Sequence, residues 1–277
     1  MKIVRQLVIL LLLTLGGGAI YAQPMDTPLN KFIYDFSQVG TINGPLLDIS
    51  EFTTKLKQKN TPGNTTKFCK LLFNRTRQEF FRRYTQYATF GETLNKGKYN
   101  CLTGTALYAL LLDHFGIDFT IIETNYHIFL LADTDDGQVL FEATDPVDGF
   151  VTDAKQISQR IEIYKRNTPQ GLPDDGKKYY TFMTELYQPV GLRELQGLLH
   201  YNVSTEAYNN QNFSSAINHL DKALDLYNSP RIVEFTSVLM RAIVQSKIDE
   251  PSKELYISQL KSIRKKLPVM ASRNYQN

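Results

Sequence analysis

The sequence lacks the short motifs that bind nucleotides or structural metals. It has no Cys-x-x-Cys pair, no phosphate-binding loop and no dinucleotide fingerprint. Three of its four histidines lie on predicted helices without the spacing of a metal site: His114, His200 and His219. The formal net charge is only +3 over 277 residues, so nothing indicates a nucleic-acid partner. We therefore expect no cofactor, no metal and no nucleic acid.

The sequence also lacks a long hydrophobic run at its start. The apolar run at residues 7–15 is too short to span a membrane comfortably. Lys2 and Arg5 precede this run, small residues follow it, and Ala22 lies at the expected cleavage site. This is the order of a secretory signal peptide. The residue after the expected cleavage site is not a cysteine, so we do not expect a bacterial lipoprotein anchor. We expect residues 1–22 to be a signal peptide and the protein to be exported, to the bacterial envelope (periplasm) or beyond. Membrane attachment is expected only if this segment stays uncleaved.

Only two cysteines are present, so a single intramolecular disulfide is the most that can form. Export would place Cys69 and Cys101 in an oxidising compartment, and their pairing therefore has to be weighed. Cys69 lies in an amphipathic helical segment, residues 67–73, where a buried free thiol is common. We therefore expect both thiols to be free. A disulfide between them would leave Cys101 unable to act as a nucleophile.

Cys101 lies at the start of a predicted helix. Residues 102–115 are apolar on almost every face, and Gly116 is placed for a left-handed helix cap, which predicts a helix buried inside a domain. At its first turn, unpaired backbone N–H groups and the helix dipole favour negative charge. This position favours a thiolate and could also hold an oxyanion developing on a substrate.

A β-hairpin after this helix carries a histidine and an aspartate. Strands are predicted at residues 119–123, 126–133 and 138–143, with an Asp-Gly turn at 134–137. A loop of two or three residues would place His127 opposite Asp145 or Pro146. An aspartate there could fix the imidazole tautomer, while the imidazole keeps a nearby thiol ionised. Glu142, predicted on the opposite face, and Asp148, in the following loop, compete with Asp145 for this role.

Three motifs resemble the transglutaminase-like superfamily, a branch of the papain-like cysteine enzymes. They are Asn-Cys-x-x-x-x-x-x-Tyr from residue 100, Tyr-His-Ile-Phe-Leu from residue 126 and Glu-Ala-Thr-Asp-Pro from residue 142. The resemblance covers roughly residues 80–150. It implies that Cys101 is a nucleophile, His127 its general base and Asp145 the partner that orients the base. Each residue taken alone could equally be a buried structural residue.

The sequence departs from this family at the oxyanion site. Calcium-dependent animal transglutaminases use a tryptophan there, and this chain has none, which leaves Tyr99 or Asn100 as the candidates. The papain branch places a glutamine several residues before its cysteine, whereas residues 93–97 offer only Asn95. The second oxyanion donor is therefore left open.

The fold class that we predict is α+β, with a transglutaminase-like domain at residues 25–165 in which the cysteine helix packs on a short antiparallel sheet. Residues 166–195 are predicted to be a linker or lid, and residues 196–277 a helical region. Six residues there fall at the packing positions of a tetratricopeptide repeat: Asn202, Tyr208, Phe213, Ala216, Leu220 and Ala223. Because one repeat cannot stand alone, this region must pack on the first domain.

These observations predict an exported enzyme that performs thiol-dependent acyl chemistry on amide bonds of a peptide or protein. Water as the acceptor would make it a peptidase or amidase, and an amine would make it a transglutaminase. The alternative is a catalytically inactive module that binds protein or peptide in the cell envelope, with the C-terminal helices as a further surface for a protein partner.

Overall fold

The computed structural model describes residues 28–40, 45–166 and 186–273, and over these ranges the protein is α+β. The described helices are α1 (Pro28–Ser37), α2 (Ser50–Lys57), α3 (Thr65–Phe80), α4 (Phe90–Lys96), α5 (Cys101–His114), α6 (Ala154–Lys165), α7 (Leu192–Asn209), α8 (Phe213–Leu226), α9 (Pro230–Gln245) and α10 (Glu250–Arg273). The predicted signal peptide and most of the predicted linker, at 167–185, lie outside the described residues. None of the described helices combines the length and hydropathy that crossing a bilayer requires.

Seven described strands form two sheets. The strands are β1 (Arg83–Tyr84), β2 (Lys98–Tyr99), β3 (Phe119–Thr124), β4 (Ile128–Thr134), β5 (Gly137–Phe141), β6 (Phe150–Val151) and β7 (Tyr187–Val190). β1 and β2 form a short parallel pair just before α5. The other five form an antiparallel sheet in the order β6-β5-β4-β3-β7. Helix α3 ends at Phe80, and β1 follows it.

Helix α5 is the centre of the core, as its apolar sequence predicts. Every residue from Thr103 to Leu112 is buried, and the helix contacts β3 and β4 as well as α1 and α7. Asn100 fixes its start, because the Asn100 Oδ1 accepts the Thr103 N–H at 2.9 Å and the Asn100 N–H donates to Thr103 Oγ1 at 3.1 Å. Such a cap is worth about 1 kcal/mol. Just past the other end, Gly116 has the left-handed φ of 66° expected there.

The β4–β5 hairpin has a different register from the one that the sequence suggested. Thr134 pairs with Gly137 and Leu130 pairs with Phe141, so extending this register by one pair places Glu142 opposite residue 129. The predicted pairing of His127 with Asp145 or Pro146 is therefore wrong. Because side chains alternate between the two faces of a sheet, the same shift puts Glu142 on the face of His127, where we had not expected it.

The C-terminal helices belong to the same folded body as the sheet. Strand β7 pairs with β3, and α7 begins at Leu192, so the predicted linker boundary at residue 195 is wrong from residue 187 onward. The α7 residues Leu195, Leu198 and Leu199 lie in the core that surrounds α5. A second core lies among α7, α8, α9 and α10.

Small residues allow α7 and α8 to approach closely, as the repeat-like pattern predicted. Ala216 and Ala223 have no exposed surface. A Cβ atom on Gly197 would lie 2.7 Å from the Tyr227 Cβ and 3.1 Å from the Ala223 carbonyl oxygen. Any side chain at Gly197 would therefore push this helical hairpin apart.

Candidate active site

Cys101 is the first residue of α5 and is partly exposed. The backbone N–H groups of Cys101 and Leu102 lie in the first helical turn, where the helix offers them no carbonyl partner. Cys69, on α3, is a buried thiol, and both Cys69 and Cys101 are free in the structure. Burial, reinforced by the nearby charge of Asp135, raises the pKa of the Cys69 thiol to about 12, so Cys69 stays protonated and unreactive at neutral pH.

His127 ends the turn between β3 and β4. The His127 N–H donates to Thr124 Oγ1 at 3.1 Å, and the Thr124 N–H donates to the His127 carbonyl at 2.8 Å. These bonds fix the His127 backbone at a position from which its side chain lines the same cavity as Cys101 and interacts with it electrostatically. The structure thus brings together the two residues that the sequence proposed as nucleophile and base.

The imidazole of His127 is oriented by Glu142, which follows β5 and has only 3% of its side chain exposed. Glu142 Oε2 accepts a hydrogen bond from His127 Nε2 and one of 3.1 Å from the Tyr164 hydroxyl. Glu142 Oε1 accepts from the Thr144 N–H at 2.9 Å and from the Thr144 hydroxyl at 2.6 Å. Both oxygens of this buried carboxylate are therefore satisfied, which is the condition for keeping it charged.

The protonation states of this pair follow from its contacts. Burial opposes a positive charge on His127, but the charge of Glu142, the nearby Cys101 side chain and the hydrogen bond with Glu142 raise its pKa well above the usual value. Burial acts to raise the pKa of Glu142, yet His127 and Thr144 lower it below the usual value. Since the carboxylate only accepts, Nε2 carries its proton, and Nδ1 is the nitrogen left for the thiol.

Asp145 does not contact His127, and its predicted role as the orienting residue is corrected here. Its Oδ1 accepts the N–H groups of Val147 and Asp148 at 3.1 and 2.9 Å, and its Oδ2 accepts from Arg160 at 2.9 Å. Burial acts to raise the pKa of Asp145, but these hydrogen bonds lower it. Asp145 therefore shapes the loop after Glu142 and ties that loop to α6 through Arg160.

The two predicted oxyanion candidates are occupied elsewhere. The Asn100 side-chain amide donates to the carbonyl oxygens of Gln86 and Ala88 at 2.9 and 3.4 Å, so it is committed to the helix start. The ring of Tyr99 stacks on Phe81, with centroids 4.8 Å apart and planes 15° apart. Tyr99 is not among the residues that line the cavity with Cys101.

Gln86 is a candidate that the sequence reasoning missed. It is exposed and lines the same cavity as Cys101. Asn95, the polar residue that the sequence offered instead, accepts from the Leu47 N–H at 2.9 Å and donates to the Pro45 carbonyl at 3.0 Å. Gln86 was missed because it lies before α4, outside the short segment preceding Cys101 that we considered.

Cys101 and His127 open into a cavity of about 250 Å³. Its other lining residues are mostly aromatic or polar: Tyr84, Gln86, Tyr87, Asn100, Leu102, Glu123, Asn125, Tyr126, Ile128, Leu198, Tyr201, Asn202, Thr205 and Arg231. The last five belong to α7 and α9. The C-terminal helices therefore build one wall of the cavity as well as supporting the fold.

The described residues contain no group of three or more histidine, cysteine or acidic side chains arranged to hold a metal ion. The chain matches no protein-family model, no curated protein and no solved structure. What the site does must therefore be inferred from its own geometry.

Proposed function

We propose that this protein is an exported, transglutaminase-like thiol enzyme that transfers or hydrolyses acyl groups at amide bonds. Cys101 is the nucleophile, His127 the general base and Glu142 the residue that orients the base. The observation that carries this proposal is the His127 imidazole, which lines one cavity together with Cys101 and is hydrogen-bonded to the buried carboxylate of Glu142.

The proposed reaction proceeds in two steps. The Cys101 thiolate attacks the carbonyl carbon of an amide, the C–N bond breaks, and His127 delivers the former thiol proton to the departing amine. The resulting thioester is then attacked by water or by a second amine, which gives up a proton to His127 and restores the thiol. Water makes the protein a peptidase or amidase, and an amine makes it a transglutaminase.

The negative charge that develops on the substrate oxygen needs donors beside Cys101. The first-turn N–H groups of Cys101 and Leu102 supply one set, and the Gln86 side chain at the cavity supplies another. Removing one such donor from an enzyme of this chemistry typically lowers kcat about 100-fold or more.

Alkylation by iodoacetamide tests the proposal directly, with Cys69→Ala as the background so that only Cys101 can react. We expect rapid labelling of Cys101 at pH 6, where an ordinary thiol is protonated. His127→Ala should slow this labelling about tenfold or more, because the thiolate loses its cationic partner. Mass spectrometry of the labelled peptide gives the rates.

The enzymatic proposal would be contradicted if iodoacetamide labelled Cys101 no faster than an ordinary exposed thiol and if His127→Ala did not change that labelling rate. That result would favour the alternative of an inactive module that binds peptide or protein. Ser246→Ala, at the C-cap of α9 and away from the cavity, serves as the control for general effects of substitution and should label at the parent rate.

A further inference from the structure

Glu123, at the end of β3, is a second buried carboxylate in the cavity wall. Only 1% of the residue is exposed. Its Oε2 accepts hydrogen bonds from the Tyr227 hydroxyl and from Gln188 Nε2, the latter at 3.3 Å. Its Oε1 accepts no hydrogen bond from any described residue. A buried carboxylate oxygen without a hydrogen bond is uncommon and costs free energy until a donor arrives.

Arg231 balances the charge of Glu123 without filling the open acceptor position. The Arg231 Nε lies 3.4 Å from Glu123 Oε1, an ionic contact whose geometry does not make a hydrogen bond. The guanidinium of Arg231 instead donates to the carbonyl oxygens of Thr124 and Asn125, the latter at 2.5 Å. The Glu123–Arg231 pair therefore has almost no net charge, while Glu123 Oε1 can still accept a hydrogen bond.

This arrangement favours a neutral N–H donor over a charged ligand group. A ligand ammonium at Glu123 Oε1 would lie beside the Arg231 guanidinium, and a ligand carboxylate would meet the charge of Glu123 itself. An amide N–H meets neither repulsion. The cavity volume of about 250 Å³ is smaller than the roughly 300–1,000 Å³ of sites that enclose a drug-sized ligand, so it fits a segment of a longer chain.

We infer that Glu123 is a substrate-binding residue that accepts a hydrogen bond from an amide N–H of a peptide held in the cavity. The inference rests on the proposed function and adds the substrate class, a peptide, together with a specific contact to it. The C-terminal helices take part, because Tyr227 and Arg231 set the position of the Glu123 carboxylate.

Peptide probes with single ester replacements test this contact in the protein as it exists. The probes are acetyl-trialanine chloromethyl ketone and analogues in which one amide N–H at a time is replaced by an ester oxygen. We expect one ester to alkylate Cys101 about 10- to 100-fold more slowly than the parent probe, the usual effect of losing a hydrogen bond to a charged group. Iodoacetamide, which carries no peptide, reports the intrinsic reactivity of Cys101.

Variants of Glu123 assign the effect to its carboxylate. In Glu123→Gln the difference between parent and ester should shrink severalfold, because a neutral acceptor is about half as strong. Glu123→Asp keeps the negative charge beside Arg231, but its shorter side chain moves the carboxylate oxygen away from the peptide, so it should abolish the rate difference between parent and ester. This variant replaces Glu123→Gln if that variant does not fold. For each variant the probe rates are divided by the iodoacetamide rate of that same variant, and Glu79→Gln, exposed on α3, should keep every rate.

The outcomes separate this inference from the proposed function. Equal rates for all esters, or an ester effect that both Glu123 variants leave intact, would overturn the inference while rapid iodoacetamide labelling still supports the enzyme. Slow iodoacetamide labelling of Cys101 in the wild-type protein would overturn both.

Discussion

The His127 imidazole is enclosed on several sides, which is why its charge depends on one neighbour. The ring lies 4.8 Å from the ring of Tyr164 and 6.2 Å from that of Phe129, centroid to centroid, and its side chain is only 19% exposed. A cation in such surroundings is costly unless a counter-ion offsets the lost hydration. Glu142 is that counter-ion.

Glu142→Gln should therefore change how the reactivity of Cys101 depends on pH. Without the Glu142 charge the pKa of His127 falls, so the imidazole loses its proton at a lower pH and no longer supports the thiolate near neutrality. We expect iodoacetamide labelling to slow about tenfold at pH 6 and much less at pH 9, a pH above the usual pKa of cysteine thiols in general. Rates measured every half unit between pH 5 and 9 give the comparison.

Asp145→Asn is the matched control, because Asp145 contacts Arg160 and its own loop but not His127. Its pH profile should follow that of the wild-type protein. If Asp145→Asn rather than Glu142→Gln flattened the low-pH labelling, Asp145 would be the orienting residue and the assignment of Glu142 would be wrong.

At the scale of elements, the α7–α8 hairpin contains a pair of histidines that must stay neutral. His200 Nδ1 and His219 Nδ1 lie 3.0 Å apart, a hydrogen bond in which one nitrogen donates and the other accepts. Burial, with His219 and Lys222 nearby, lowers the pKa of His200 to about 4, and burial with Lys222 lowers that of His219. Protonating both rings would break their bond and place like charges between the helices.

This pair predicts that the protein loses stability in acid. His200 takes up its proton near pH 6.5 when unfolded but near pH 4 when folded, so the free energy of unfolding falls as pH drops through that window. The slope from one such histidine is at most about 1.4 kcal/mol per pH unit. In His200→Leu the loss between pH 6.5 and 4.5 should be smaller, as urea unfolding at several pH values would show. Parallel curves for variant and wild type would contradict this.

Local sequence signals predicted the helices better than they predicted the sheet. The helices α5 and α6 are each capped by the residue just before them: Asn100 Oδ1 accepts the Thr103 N–H, and Asp153 Oδ1 accepts the Gln156 N–H at 2.8 Å. Strand β7 is different, since its four residues gain their structure by pairing with β3, far earlier in the chain. Nothing within β7 itself indicates that partner.

In the candidate site, too, local sequence signals predicted some residues, while those that depend on strand pairing or chain folding were missed. Cys101 and His127 were predicted because helix start and hairpin turn are local features, and the structure places them together. The third residue depended on strand register, where an error of one residue moves every side chain to the opposite face. Asp145 was therefore chosen over Glu142. Gln86 could not be found from local spacing, because the chain between Gln86 and Cys101 folds into α4 before returning.

At the scale of the whole molecule, α7 joins two cores into one cooperative unit. Leu195, Leu198 and Leu199 pack with α5, while Ala207, further along the same helix, packs in the second core with α8 and α9. Arg231 adds a polar link from α9 to the β3–β4 turn. Because a continuous helix cannot lose half of its partners without exposing large apolar surface, we expect both cores to unfold together.

The absence of tryptophan makes this expectation measurable, since a single introduced tryptophan reports one location. Phe119→Trp, partly buried on β3, reports the α5 core, and Tyr208→Trp, whose ring lies 5.5 Å from that of Phe235, reports the second core. Urea unfolding should give the same midpoint and the same slope for both reporters after correction for each variant's overall stability by circular dichroism. An earlier transition at Tyr208→Trp alone would show that the C-terminal helices detach first. In that case the cavity wall carrying Tyr201 and Arg231 would be lost while the Cys101 helix stayed folded, and peptide probes would lose their advantage over iodoacetamide at that same urea concentration.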